Sequence, residues 1–233
     1  MASKRQILFG ISLALAFAGS AQARLERGGI ECGGFTKAAA GIDAGPYDYR
    51  TGPADRKRQA DRSYAQLVAS SQGPLAQERL AADLDATLRL FPNHPRALMA
   101  MAELARQGNT DHPRGSRYSM SCWYDRAVRF APDDVQMRLA YGYWLAKHGE
   151  RTAAIEQLDQ ARASARESAT LSYNLGLAYC EAGEYDKALG AAHTAYSLGH
   201  PLPGLRNRLA AAGRWREPVG AKAVRPVGER AAD

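Results

Sequence analysis

The chain has 233 residues, enough for one or two domains with a sizeable core, and its formal net charge is +7. Lys4 and Arg5 contribute +2 and residues 204–233 contribute +4, which leaves a net charge of only +1 on residues 24–203. A nucleic-acid-binding protein is expected to carry a basic stripe on its folded face, so this distribution argues against nucleic acid as a partner.

Residues 1–23 have the pattern of a secretory signal peptide. A basic start at Lys4-Arg5 precedes the apolar run Ile7–Ala18, and Ala21-Gln22-Ala23 is a small-residue cleavage site. We predict export, to the bacterial periplasm, and a mature chain that begins at Arg24. An uncleaved anchor is the alternative, but about twelve apolar residues are too few for a bilayer, which needs about 20. We therefore expect membrane contact to be at most peripheral.

Residues 24–55 are rich in glycine and show no sustained periodicity, which predicts an extended or disordered segment. Docking of Tyr47 and Tyr49 against the helices that follow remains open at this point.

Two helical hairpins are predicted next, over residues 56–91 and 95–132. Leu80, Leu84 and Leu88 recur at helical spacing and mark a buried stripe. Proline and a polar residue separate these hairpins at Pro92-Asn93, and a similar junction follows at Pro132-Asp133. The second hairpin is longer than a regular one, and we place its insertion in the polar stretch 107–121.

The clearest repeat covers residues 135–164 and 169–200. Residues 135–164 and 169–198 align at an offset of 34, and the alignment pairs small or acidic residues: Gly142 with Gly176, Gly149 with Gly183, Glu150 with Glu184, Ala154 with Ala188 and Ala161 with Ala195. A period of 34 residues is typical of stacked helix–turn–helix units. Gly176 and Ala188 lack bulk where two helices must approach closely. A short capping helix is predicted over 203–213, and residues 214–233 are predicted to be a disordered tail.

The repeat resembles the tetratricopeptide repeat (TPR) family. The run Tyr173-Asn174-Leu175-Gly176-Leu177-Ala178-Tyr179, followed by Ala-Gly-Glu-Tyr-Asp-Lys-Ala up to Ala188, is similar to that family's consensus. The strings at 45–50 and 91–98 also resemble exported bacterial TPR proteins, a looser likeness that implies no activity. The resemblance implies an all-α fold, a right-handed superhelix (α-solenoid) of helical hairpins with a C-terminal cap.

In TPR families the first helix of each hairpin lines a concave groove that binds a peptide. Carried onto this chain, the resemblance implies a groove formed by twelve residues: Arg96, Met99, Glu103, Arg106, Gln136, Leu139, Tyr143, Lys147, Thr170, Tyr173, Leu177 and Glu181. Relatives that grip a terminal carboxylate use Lys and Asn at particular groove positions. Only Asn174 agrees with that pattern here, so no such clamp is expected. The alternative is that Tyr143 and Tyr173 pack between neighbouring helices.

Three cysteines in an exported chain leave one without a partner. Cys32 and Cys122 border segments that can adjust to bridge geometry, whereas Cys180 lies within a regular helix. We predict a Cys32–Cys122 disulfide, because the compartment permits one. Three free or buried thiols are the alternative.

No catalytic, phosphate-binding or metal-binding motif stands out, and the five histidines are dispersed. We expect no enzyme activity, no cofactor and no metal. The sequence thus favours an exported scaffold that mediates protein–protein interaction through its groove. The alternative is a structural or regulatory subunit packed permanently into an envelope assembly. The identity of the protein partner does not follow from the sequence.

Overall fold

The computed structural model describes residues 32–35, 45–70 and 73–218. The predicted signal peptide and residues 219–233 of the predicted tail lie outside these ranges. The chain divides into a unit that ends at Gly34 and a larger unit that begins at Phe35. Of the first unit only Cys32, Gly33 and Gly34 are described, and every helix below belongs to the second.

All regular elements in the described residues are α-helices, which confirms the predicted all-α class. In chain order they are α1 (Ala54–Ser70), α2 (Pro74–Leu90), α3 (Pro95–Gln107), α4 (Met120–Phe130), α5 (Val135–Lys147), α6 (Arg151–Ala165), α7 (Ala169–Glu181), α8 (Tyr185–Ser197) and α9 (Gly204–Ala211). Each helix from α1 to α8 packs against the next, α5 also packs against α7, and α9 packs against both α7 and α8. This order of contacts is compatible with an α-solenoid. Within the described residues, no helix has the length and apolar character needed to cross a membrane.

The two regular hairpins, α5–α6 and α7–α8, close with the same three-residue turn. Gly149 and Gly183 occupy it with φ of 78° and 74°, a conformation that favours glycine. The next residue in each turn donates its N–H back into the first helix. Glu150 N lies 2.9 Å from the Leu145 carbonyl, and Glu184 N lies 2.9 Å from the Tyr179 carbonyl. The 34-residue period in the sequence therefore corresponds to two turns with the same glycine conformation and the same backbone hydrogen bond.

Short polar side chains start three of the helices. Ser119 accepts a hydrogen bond from Cys122 N, and Ser168 accepts one from Leu171 N. Asp134 accepts from both Gln136 N and Met137 N at 3.1 and 3.2 Å. These bonds satisfy backbone donors that the first turn of a helix leaves without partners.

The buried side chains form two clusters, and α5 contributes to both. One cluster joins α2, α3 and α4 to Met137 and Trp144 of α5, and the other joins α6 to α9 to Leu139 of the same helix. Trp123 and Tyr179, one in each cluster, are the largest fully buried side chains. Because α5 buries residues on two faces, its sequence lacks a single apolar stripe.

Glycine allows close packing at equivalent places in the two regular hairpins. A Cβ on Gly142 of α5 would lie 2.6 Å from Leu158 Cδ2 of α6. A Cβ on Gly176 of α7 would overlap with Leu205 of α9 and would lie 3.4 Å from the Ala188 carbonyl oxygen. The tightest neighbour of Gly176 is therefore the capping helix rather than the second helix of its own hairpin.

The long connection between α3 and α4 folds back over α2. Arg117 N donates to the buried carboxylate of Asp85 at 2.6 Å, and Trp123 Nε1 donates to Ser116 Oγ at 2.9 Å. Gly115 approaches the Glu78 backbone so closely that a Cβ would overlap with its carbonyl oxygen. The insertion therefore covers the first hairpin instead of projecting as a loop.

The packed part of the chain extends past the predicted start of the tail at residue 214. Trp215 is half-buried and lies edge-on to the rings of His193 and Tyr196, at centroid distances of 5.4 and 6.0 Å. His193 Nε2 also lies 2.8 Å from the Arg216 carbonyl. The chain thus remains packed on α8 after α9 ends, because the indole ring gains contacts there.

Candidate functional site

Eight of the twelve predicted groove residues are exposed, namely Arg96, Met99, Glu103, Arg106, Gln136, Tyr143, Lys147 and Thr170. Leu177 and Glu181 are half-buried. Together these ten residues of α3, α5 and α7 are called the first-helix surface below.

The remaining two predicted residues, Leu139 and Tyr173, are buried and offer no surface to a partner. The Tyr173 ring stacks on His200 with 4.0 Å between centroids. A Cβ on Gly204 would lie 2.6 Å from the Tyr173 hydroxyl, so the start of α9 lies directly against this ring. Tyr173 therefore packs between neighbouring helices, which is the alternative to a role in the groove. Tyr143, in contrast, is 41% exposed.

Ion pairs link the C-terminal ends of α5, α7 and α9. The Glu181 carboxylate lies 3.1 Å from Lys147 Nζ and 2.7 Å from an Arg208 guanidinium nitrogen. Burial raises the pKa of Glu181, but the hydrogen bonds from Arg208 and Lys147 outweigh it, and the pKa is lower than usual. Two predicted groove charges are therefore paired with each other, and at this end they hold neighbouring first helices together.

On α3, charged residues surround an exposed methionine. Arg106 pairs with Glu103 at 2.5 Å, and its hydrogen bond lowers the pKa of that carboxyl to about 2. Arg96 lies 3.9 Å from Asp61 of α1. Met99 stands between these charges on the same helix and is 69% exposed.

An N-terminal segment is bound across the ends of the hairpins. Residues 45–53, called the strap, contain no helix and contact two junction loops, 91–94 before α3 and 131–134 before α5. Tyr47 N donates to the Leu90 carbonyl at 2.8 Å, and the Tyr47 and Tyr49 rings both lie against Phe91. The sequence predicts an extended or disordered segment over residues 24–55; in the structure its last part is ordered, docked on the helices and turned at residues 49–52.

Asn93 is the centre of the strap's polar contacts, and it is almost fully buried. Its carbonyl oxygen accepts from Tyr49 N at 2.8 Å. Its amide group donates to Asp48 at 2.8 Å and to Asp134 at 3.0 Å. One side chain thus joins the strap to both junction loops.

Arg50 makes a second connection nearer the surface. Its guanidinium lies 2.6 Å from Asp48 and 2.8 Å from Asp133. The hydrogen bond from Arg50 holds the pKa of the Asp48 carboxyl well below its usual range.

The strap forms one wall of a cavity of about 700 Å³. The other walls are the first turns of α1, α3 and α5, with Leu171 of α7. Because Pro95, Gln136 and Leu171 all line it, the N-terminal ends of α3, α5 and α7 face the same space. The cavity therefore lies at one end of the first-helix surface.

Local sequence patterns do not predict this cavity. It depends on hydrogen bonds between the strap and loops about 40 to 85 residues away in sequence. One sequence pattern does mark the loops that the strap contacts. Each junction has a proline followed by polar residues, Asn93 in one loop and Asp133 and Asp134 in the other.

Among the described residues, no group of three or more His, Cys, Asp or Glu side chains is arranged to hold a metal ion. Cys32 and Cys122 are each in the disulfide-bonded state, and Cys180 is a free, buried thiol whose pKa is raised by burial.

No protein-family model matches the chain, and no curated protein matches it.

Proposed function

We propose that the chain is an exported scaffold whose hairpins form a right-handed TPR-type superhelix, and that it binds a protein partner through the first-helix surface. The proposal combines the family resemblance of residues 135–200 with the exposure of residues on α3, α5 and α7.

The position of two exposed apolar side chains carries the proposal. Five large apolar side chains are exposed in the described part of the chain. Leu75 lies in the first turn of α2, Leu198 at the end of α8, and Leu202 in a loop. Only Met99 and Tyr143 lie in the body of a helix, and both are on first helices. Methionine and tyrosine are enriched at protein interfaces relative to other surfaces.

The surrounding charges fit the same role. Glu103, Arg106 and Lys147 are already neutralised by partners on the protein itself. Covering these paired groups with a binding protein therefore costs less desolvation energy than covering isolated charges would. The mixture of apolar anchors and paired charges is the usual composition of an interface with a polar rim.

The test is capture of the partner by a variant that removes both anchors. Met99→Ser/Tyr143→Ser and the matched control Leu75→Ser/Leu198→Ser would each be expressed with an affinity tag, crosslinked in the native envelope and purified. We expect the first variant to recover at least about tenfold less of the wild-type partner, because truncating an interface anchor can cost about 2 kcal/mol. The control should recover wild-type amounts.

Circular dichroism melting would establish that both variants are folded. Equal recovery by the two variants would contradict the proposal and would move the binding surface elsewhere.

A further inference from the structure

We propose that the cavity beside the strap binds an acidic segment of the partner, a peptide stretch that carries a carboxylate next to an apolar side chain. This inference rests on the proposed function only in taking the partner to be a polypeptide. It specifies a second contact, at the N-terminal ends of the first helices.

The acidic groups that line the cavity are already engaged. Asp61 accepts from the Tyr49 hydroxyl at 3.0 Å. Asp133 pairs with Arg50, and Asp134 caps α5 while it accepts from Asn93. None of these three carboxylates is therefore available to hold a basic ligand without losing a contact that it makes within the protein.

Two basic side chains of α1, in contrast to these carboxylates, are not held by ion pairs among the described residues. Lys57 and Arg58 both line the cavity. Lys57 Nζ contacts the Arg50 carbonyl at 3.4 Å, and neither side chain forms an ion pair among the residues that the structure describes. Two cations thus face the cavity with hydrogen-bonding capacity to spare, and carboxylates are the groups that suit them in a peptide.

Apolar side chains from α3, α5 and α7 also line the cavity, and they form what is called the apolar wall below. Pro95, Val135, Met137 and Leu171 contribute to it, and Met137 is almost fully buried while Val135 and Leu171 are partly covered. An apolar side chain placed against this wall would be removed from water. A ligand that matches both the basic and the apolar lining residues therefore has a carboxylate and an apolar group on neighbouring residues.

The continuation of the cavity favours a peptide over a small anion. Gln136 lines the cavity, and Tyr143 lies seven residues later on α5. Seven residues are two helical turns, so the two side chains share a face about 10 Å apart. A peptide held in the cavity can continue along α5 to Tyr143, whereas a small anion cannot use that contact.

The experiment is a titration of the ¹⁵N-labelled mature protein, followed by amide chemical shifts. The probe is a capped hexapeptide, Gly-Leu-Asp-Glu-Leu-Gly, and its control is the uncharged Gly-Leu-Asn-Gln-Leu-Gly. Sodium acetate at the same carboxylate concentration is the small-anion control. The protein variants are Lys57→Gln/Arg58→Gln and the charge-matched control Arg162→Gln/Arg166→Gln, whose residues are exposed on and just after α6.

We expect the acidic peptide to shift amides in residues 54–61 and 135–137. The Lys57→Gln/Arg58→Gln variant should bind it about fivefold or more weakly, because each exposed ion pair contributes a modest part of the affinity. The Arg162→Gln/Arg166→Gln variant should bind it as the wild type does.

Equal weakening in both double variants would overturn the inference, because net charge alone would then explain binding. Equal shifts with the uncharged peptide would overturn the inference that the ligand is acidic. Equal shifts with acetate would overturn the inference that the ligand is a peptide. Absence of shifts at the cavity would also overturn the inference. None of these results affects the partner-capture experiment with Met99→Ser/Tyr143→Ser, which tests the proposed function separately.

Discussion

His94 begins α3 with a buried imidazole that must remain neutral for its present contacts. Its Nδ1 accepts a hydrogen bond from Ala97 N at 3.3 Å, which a protonated Nδ1 cannot do. Burial lowers the pKa of His94, although the Asp61 carboxylate, 3.5 Å from Nε2, acts in the opposite direction. The nearby Arg96 lowers the pKa further.

This lowered pKa predicts an acid-sensitive contribution to stability. The unfolded chain takes up the proton near pH 6.5, whereas the folded protein takes it up only at a lower pH. The contribution is therefore present above about pH 6.5 and is lost as the pH falls below that value. Free energies of unfolding in urea at pH 7.5 and 5.5 should show a smaller loss for His94→Asn, which keeps a helix-capping side chain, than for the wild type.

His112→Asn is the matched control, because His112 is exposed. It should lose as much stability on acidification as the wild type. An equal loss in His94→Asn and the wild type would show that His94 does not cause the acid sensitivity.

Gly176 is a position where the structure sharpens a prediction from the sequence. Gly176→Leu places a side chain where Leu205 and the Ala188 carbonyl already lie. Overpacking of this kind costs about 1–3 kcal/mol. Thermal unfolding should show a lower melting temperature for Gly176→Leu than for Gly190→Leu, since Gly190 has open space around its Cβ position. Equal melting temperatures would place Gly176 away from a tight contact.

At the scale of elements, the helices follow from local sequence, but the strap does not. Periodic leucines, glycines at turns and Ser or Asp at helix starts are local signals, and they place most of the helix boundaries. The strap is held by contacts between residues far apart in the sequence: Asn93 of one junction loop binds Tyr49, and Arg50 of the strap binds Asp133 of the other loop. Tyr173 illustrates the same limit, because its burial depends on the approach of Gly204 from the capping helix. Such contacts have no local pattern from which to predict them.

Asn93 is predicted to dominate the attachment of the strap. Asn93→Ala removes the hydrogen-bond partner of Tyr49 N and one of the partners of each of the carboxylates Asp48 and Asp134, which costs about 1–3 kcal/mol. Arg50→Ala removes the more exposed ion pairs with Asp48 and Asp133 and should cost less. Urea unfolding would give both values, with the exposed Asn174→Ala as a control that should match the wild type. A larger loss for Arg50→Ala would reverse this ranking.

At the scale of the whole molecule, the oxidation state of the cysteines can be determined by counting free thiols. The denatured, unreduced protein should contain one free thiol, and the reduced protein should contain three. Peptide mapping should find Cys32 linked to Cys122 and the free thiol at Cys180. In the native protein Cys180 should react slowly with maleimide, because it is buried and burial raises its pKa. Three thiols before reduction would rule out the bridge.

The central claim is that the partner is bound on the first helices of the hairpins. Its most direct test is a photocrosslinking scan in the native envelope, with p-benzoylphenylalanine introduced at one position at a time. Met99, Tyr143 and Thr170 sample the first-helix surface, and Leu75, Ser164 and Leu198 are exposed positions on other helices or at their ends. We predict that the three first-helix positions give adducts with the same protein and that the other three give none. Adducts with that protein from Leu75, Ser164 or Leu198, and none from the first helices, would contradict the account.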